Sequence, residues 1–291
     1  MNIRWRTVIG LIIALALGMM LQACGGQKKP DEPPAIPTTA GQAQAPVQQG
    51  ESYPAPPGGM PPAAPPPAYP APGTTGGQPA QTPVTFTTAD GISLVGTYFE
   101  PAQGNAPGVI LVHMVAGQRA DWDSLAAALQ DRGFAILTFD LRGHGESGGS
   151  QEWDKMSDDV AVAYQFLSGQ PSVDRTRVGL VGASIGANLA LNSAAVEPGV
   201  KALVLLSPGL DYRGVQTEAS MQPYGNRPIL FVASKTDAYA AQTVATLSGL
   251  AQGKAKTQLY DNAGHGTQML GGADGLEDLI ANWLRDALGG G

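Results

Sequence analysis

The chain has 291 residues, 43% of them hydrophobic, with 17 Lys and Arg against 24 Asp and Glu for a formal net charge of -7. That length allows one or two domains, and the acidic balance speaks against nucleic acid as a partner. The single cysteine, Cys24, excludes an intramolecular disulfide. The three histidines, His113, His144 and His265, are too few for a metal site built on several His and Cys, so no metal or cofactor is expected.

The N-terminus reads as an export signal. Arg4 and Arg6 precede an apolar run from Val8 to Leu21, somewhat short for a spanning helix, and Ala23 offers a small residue for cleavage. Leu21-Gln22-Ala23-Cys24 resembles a bacterial lipobox, with Gln22 departing from its usual pattern. The resemblance implies a signal peptide over 1–23 and lipidation of Cys24. The protein is then expected in the cell envelope, anchored on the outer side of the cytoplasmic membrane or in the outer membrane. Residues 24–83 are rich in Pro, Gly, Ala and Gln, with runs such as Pro65-Pro66-Pro67. So little large apolar surface cannot offset the entropy of ordering, and a disordered tether with polyproline character is expected.

From Val84 to residue 291 the chain reads as one well-cored domain. Val84–Thr88 and Ile92–Phe99 predict a hairpin turning at Asp90-Gly91. Val109–Val112 is a buried parallel strand, and Asp121–Arg132 an amphipathic helix closed by Gly133. There follow a strand over Phe134–Phe139, a helix over Asp154–Leu167, a strand over Val178–Val181 and a small-residue helix from Ala187. Strands over Ala202–Leu206 and Ile229–Val232, a helix over Ala240–Leu250, a strand over Thr257–Tyr260 and a last helix over Gly275–Leu288 complete the pattern. A hairpin followed by alternating strands and helices predicts an α/β fold, a mostly parallel sheet covered on both faces. Sites in such sheets lie beyond the C-terminal strand ends.

One stretch carries the chemistry. Val178 to Gly186 is an apolar strand running into Gly182-Ala183-Ser184-Ile185-Gly186, a G-x-S-x-G turn with a helix directly after it. That is the context of a nucleophile elbow. A serine hydroxyl needs a base, and the base an orienting carboxylate. After Ser184 the chain offers Asp237, just beyond the strand ending at Val232, and then His265, just beyond the strand ending at Tyr260. Asp211, after the preceding strand, is a rival for the acid.

On these residues the domain resembles the α/β-hydrolases of the small serine esterase or dienelactone-hydrolase-like kind, over nearly all of residues 84–288. Asp140-Leu141-Arg142-Gly143-His144-Gly145-Glu146-Ser147 matches their D-x-R-G-H-G-x-S loop, which implies loop-building roles for Arg142 and His144. His113-Met114-Val115-Ala116-Gly117 sits where they carry H-G-x-x-G, with Met114 in place of the first glycine. The resemblance implies backbone N–H groups of Val115 and Ile185 as oxyanion donors. It also implies a serine hydrolase cleaving carboxylic esters, either small molecules or acyl groups on an accessible polymer, through Ser184, His265 and Asp237. A non-catalytic envelope binding module, an acyltransferase and a peptidase of the same fold are the alternatives. Only Ser207–Pro228 separates two strands where lids are usually inserted, so no large lid is expected and the cleft should be open. Tyr212, Met221 and Tyr224 are expected to pack that connection down rather than line the cleft. The protein is expected to be a monomer.

Overall fold

The computed structural model describes residues 80–289. The signal segment, Cys24 and the tether up to residue 79 lie outside the described residues. An opening hairpin pairs β1 (Gln81–Thr87) with β2 (Ser93–Phe99). Then come β3 (Ala106–Val112), α1 (Asp123–Gln130), β4 (Ala135–Phe139) and α2 (Met156–Ser168). The elbow lies between β5 (Val173–Ala183) and α3 (Ile185–Val196). After β6 (Val200–Leu206) the connection forms a small hairpin, β7 (Asp211–Tyr212) and β8 (Val215–Gln216), and a short α4 (Glu218–Tyr224). The chain ends with β9 (Ile229–Ser234), α5 (Ala238–Leu250), β10 (Ala255–Tyr260), α6 (Met269–Gly272) and α7 (Leu276–Leu288).

The main sheet has eight strands in the order β1-β2-β4-β3-β5-β6-β9-β10. The two strands of the hairpin run antiparallel to their neighbours and the rest are parallel. β3 is buried along its whole length, as a parallel strand must be when helices cover both faces. Its side chains alternate between two cores: Ile110 and Val112 face one, Val109 and Leu111 the other. Each such fully buried aliphatic side chain contributes about 1.5–3 kcal/mol from surface removed from water.

Three expected elements differ in ways that have a physical reason. β1 begins at Gln81, so residues 81–83, expected to belong to the disordered tether, pair with Thr97–Phe99 of β2 instead. β5 begins five residues before the expected start at Val178, because Asp174, Arg175, Thr176 and Arg177 form its polar first half. Arg177 and Thr176 both bond to Asp174 there, an arrangement with no apolar signature. The helix expected from Asp121 starts at Asp123, because Arg119–Trp122 makes a tighter 3-10 turn, in which the Gln118 N–H donates to Asp121 Oδ2 at 3.1 Å.

Candidate active site

The site is built at the C-terminal ends of β3, β5, β6, β9 and β10. Ser184 joins β5 to α3 with φ 55° and ψ −124°, a conformation that costs of order 1–3 kcal/mol for a non-glycine residue and persists only where its surroundings enforce it. Here they do. The Ser184 N–H donates to the Leu206 carbonyl at 2.8 Å, and the Ser184 carbonyl accepts from Ala187 N–H at 2.9 Å. No side chain is tolerated at the flanking glycines. A Cβ on Gly182 would lie 2.2 Å from the Gly186 carbonyl oxygen, and one on Gly186 only 2.3 Å from that of Val112. The first turn of α3 therefore presses directly on the backbone at Val112 and His113. That contact brings the Ile185 N–H, free of an intrahelical partner at the helix start, beside the loop from His113 to Gly117. No side chain caps α3, so its positive end faces the same corner.

Two buried histidines hold that loop. His113 Nε2 accepts the Leu141 N–H at 3.0 Å, so its proton is on Nδ1, which donates to the Met114 carbonyl at 2.8 Å. Burial drives the His113 imidazole down to about 4, with the Met114 bond opposing only part of that, so it is neutral near pH 7. His144 places Nε2 3.0 Å from the Val115 carbonyl and Nδ1 3.0 Å from the Arg142 carbonyl. The Val115 N–H has no acceptor among the described residues. Met114 packs against the His265 loop: its sulfur would lie 2.9 Å from a Cβ on Gly266, and the Ala183 Cβ 3.5 Å from the same point.

The loop from Asp140 to Ser147 is a scaffold. Arg142 is buried and bonds Asp159 at 2.7 Å and Asp90 at 2.8 Å, and its hydrogen bond to Asp159, against the cost of burial, raises its pKa further. Asp140 accepts the Arg119 N–H at 2.7 Å and the Glu146 N–H at 3.0 Å, and also pairs with the Arg119 guanidinium.

His265 and Asp237 meet. Asp237 is the N-cap of α5, with Oδ1 accepting from Ala240 N–H at 3.3 Å and Oδ2 lying 2.5 Å from His265 Nδ1. Burial pushes the Asp237 carboxyl up. The hydrogen bond and charge of His265, the Ala240 N–H and the Ser207 hydroxyl outweigh it and hold the group below the ordinary carboxylate value. The positive end of α5 acts in the same sense. With Nδ1 donating to the carboxylate, the His265 lone pair is on Nε2, the form a general base requires. Asp211 is elsewhere: its carboxylate accepts from Gly214 N–H at 2.8 Å and from the Gln216 side chain at 3.2 Å, closing the β7–β8 turn.

The connection after β6 is pinned down. Asn188 of α3, fully buried, donates to the Val215 carbonyl at 2.7 Å and accepts from Gly209 N–H at 3.0 Å. Met221 and Tyr224 are buried, as expected. Tyr212 differs: it is half-buried and lies edge-to-face with His265, ring centres 6.2 Å apart, so it borders the site. Next to it, Arg213 lies over the Trp153 ring at 5.5 Å, so the hairpin roofs one rim of the cleft. Ser207 was not visible as a site residue in the sequence. The signal, in retrospect, is its place directly after a C-terminal strand end. A cavity lined by Gln130, Arg132, Arg177 and Arg285 lies at the opposite ends of the strands, away from Ser184. Among the described residues no three His, Cys, Asp or Glu side chains gather as metal ligands.

A family model described as serine aminopeptidase, S33, matches residues 105–240. An uncharacterised protein of Mycobacterium tuberculosis (strain H37Rv) is 38% identical over 131 residues, 45% of this chain and 46% of that protein. A thiohydrolase of Eupenicillium brefeldianum is 32% identical over 145 residues, 48% of this chain and 46% of that protein. The chain thus spans about half the length of the curated relatives it matches. Among solved structures, dienelactone hydrolase from Anabaena variabilis superposes with a TM-score of 0.62 at 21% identity, covering 73% of this chain and 100% of its own. The matched segment ends at residue 240, before His265, while the structural match takes in most of the described domain. A mostly parallel sheet with helices on both faces, a strained serine between β5 and α3, and a structural match of this extent give the described domain the fold of the α/β-hydrolases.

Proposed function

We propose that the protein is a serine hydrolase that cleaves carboxylic esters through a covalent acyl-enzyme. The observation that carries this reading is the 2.5 Å bond between Asp237 Oδ2 and His265 Nδ1, which leaves Nε2 as a base at the same sheet edge as the strained Ser184. In the proposed reaction His265 Nε2 takes the Ser184 proton as Oγ attacks the ester carbonyl. The N–H groups of Val115 and Ile185 hold the oxyanion, donors that each contribute about 10²–10³-fold in turnover. The carbonyl re-forms as the C–O bond to the leaving group breaks, and His265 gives its proton to the departing alkoxide. Water, deprotonated by His265, then attacks the acyl-enzyme and releases the acid and free Ser184. Asp237 keeps the imidazole in the required tautomer throughout. The connection after β6 holds only a two-stranded hairpin and a seven-residue helix, and so small a cover favours short acyl groups over long lipid chains.

A second reading is an aminopeptidase, favoured by the description of the family model over residues 105–240. One assay separates the two. Purified protein and its Ser184→Ala variant are compared on p-nitrophenyl acetate, butyrate and octanoate and on alanyl- and leucyl-p-nitroanilide. The expected result is ester turnover that favours the shortest chain and falls on the order of 10⁴-fold or more in the variant. Anilide turnover with no ester turnover selects the peptidase, and equal background rates in both proteins overturn the serine-hydrolase reading.

A further inference from the structure

The turn of the β7–β8 hairpin has two central residues, Arg213 at φ 57° and Gly214 at φ 83°. A two-residue turn with both angles positive suits Asn-Gly or Asp-Gly, whereas the Cβ of an arginine is strained at the first position. Turn chemistry by itself would therefore place Asn at 213. The root of the hairpin is held firmly. Tyr239 Oη accepts the Asp211 N–H at 2.9 Å and donates to the Asp211 carbonyl at 3.1 Å. The Tyr212 ring packs so closely on Gly209 that a Cβ there would lie 2.6 Å from it. This fixed hairpin carries the exposed Arg213, whose guanidinium lies 5.5 Å from the centre of the Trp153 ring. Trp153 belongs to the other wall of the cleft: its ring is 5.8 Å from that of His144, whose Nε2 is 3.0 Å from the Val115 carbonyl. Tyr212, next to Arg213 in the chain, faces His265 at 6.2 Å. Arg213 thus links the wall that carries the oxyanion loop to the wall that carries the base.

Its guanidinium is also unspent. Among the described residues no carboxylate lies within 4.0 Å of it and no acceptor takes its N–H groups, whereas Arg119, Arg142 and Arg177 each pair with a carboxylate. Arg227 is the internal control. It too lies over a ring, that of Tyr224 at 4.3 Å, but the carbonyls of Ala194, Glu197 and Val200 take its N–H groups. A structural arginine in this chain spends its donors on the protein, and Arg213 does not. A guanidinium over an aromatic face is held in place by the ring, and its N–H fork stays open at the edge to a planar acceptor. We propose that Arg213 is a specificity-determining residue that binds a carboxylate on the substrate, so that the ester cleaved at Ser184 carries a negative charge on its acyl or its alcohol half. One guanidinium gives a carboxylate two parallel charge-assisted bonds. In a chain of formal net charge -7, this cation at the cleft also draws in substrates that the rest of the surface repels.

The proposal rests on the serine-hydrolase reading, and its test tells the two apart. In the full-length protein, Arg213→Asn removes the charge and suits the turn, while Arg213→Lys keeps the charge and loses the fork. At pH 7, kcat/KM is measured on two matched pairs of esters. With the carboxylate on the acyl half, p-nitrophenyl hydrogen adipate is compared with p-nitrophenyl hexanoate. With it on the alcohol half, 4-acetoxybenzoate is compared with 4-acetoxybenzamide. In at least one pair the ratio of anionic to neutral ester should fall about 10- to 100-fold in Arg213→Asn, the loss expected for hydrogen bonds to a charged group. The loss should enter chiefly through KM, and Arg213→Lys should fall between. Ratios in Arg213→Asn that equal those of wild type in both pairs overturn the proposal. If wild type turns over none of the four esters faster than Ser184→Ala, the esterase reading falls, and calorimetric titration with adipate decides the proposal separately. Adipate binding that Arg213→Asn loses keeps Arg213 as a carboxylate site. Binding absent from wild type, or unchanged in the variant, overturns it.

Discussion

The chain contains the tripeptide Gly-His-Gly twice, at Gly143-His144-Gly145 and at Gly264-His265-Gly266, and all four of these glycines have positive φ. The two histidines nevertheless do opposite things. His144 is buried with Nδ1 3.0 Å from the Arg142 carbonyl and Nε2 set between the Val115 carbonyl at 3.0 Å and the Gln151 side-chain amide at 3.2 Å, so both nitrogens are engaged in holding loops. His265 is partly exposed and meets Asp237 through Nδ1. The acids beside them divide the same way. Asp159 is buried under the permanently charged Arg142, whereas Asp237 sits at the start of α5 opposite a group that can take and return a proton. An imidazole is a base or a strut according to whether its second nitrogen is already engaged, and local sequence does not carry that information.

The largest expected effect separates the two tripeptides directly. His265→Ala should lower kcat on the order of 10⁴-fold with little change in Tm. His144→Ala should instead lower stability by about 1–3 kcal/mol through lost hydrogen bonds. Its kcat should fall no more than about 10²-fold, through a loosened oxyanion loop. Paired measurements of Tm and kcat check this, and a His144 variant that loses activity as completely as the His265 variant breaks the comparison.

Next comes the buried ion pair. Arg142→Ala leaves Asp159 buried without its partner and should cost about 3–5 kcal/mol, read as a shift in the urea midpoint. A midpoint within experimental error of wild type would mean that water or another cation replaces the guanidinium.

The smallest effect is on acid stability. The Arg142 hydrogen bond, followed by that of Thr88, lowers the Asp90 carboxyl from 3.8 to about 2. A group depressed in the folded state stabilises it above its unfolded value, and that contribution is lost as pH falls through the folded value. Wild type should therefore exceed Asp90→Asn in Tm at pH 5 and above, with the gap closing between about pH 4 and pH 2. A gap independent of pH would assign the Asp90 contribution to hydrogen-bond geometry rather than to charge.

The strand pattern of the domain was legible because parallel strands buried on both faces are continuous apolar runs, and α7 because its apolar residues recur on one helical face. The polar first half of β5 was not, since Asp174 to Arg177 bond to one another in solvent and leave no periodic signal. Ser184 was legible because only glycine fits on either side of so tight a turn, and His265 because it follows the last strand of the sheet. Tyr212 and Ser207 were not, because both come from a connection whose course is set by Asn188, a residue of a different element.

By itself, then, the sequence determined the layered architecture and offered Ser184 as the candidate nucleophile, His265 as the candidate base and Asp237, with Asp211 as its rival, as the candidate acid. Which of the two acids meets His265 was decided only in three dimensions. Asp211 and Asp237 both follow strands of one parallel sheet, and either spacing would serve. The strand order puts β9, and not β6, next to β10, so the loop carrying Asp237 is the one beside His265. Long-range strand pairing sets which loop ends become neighbours, and no local residue preference contains it.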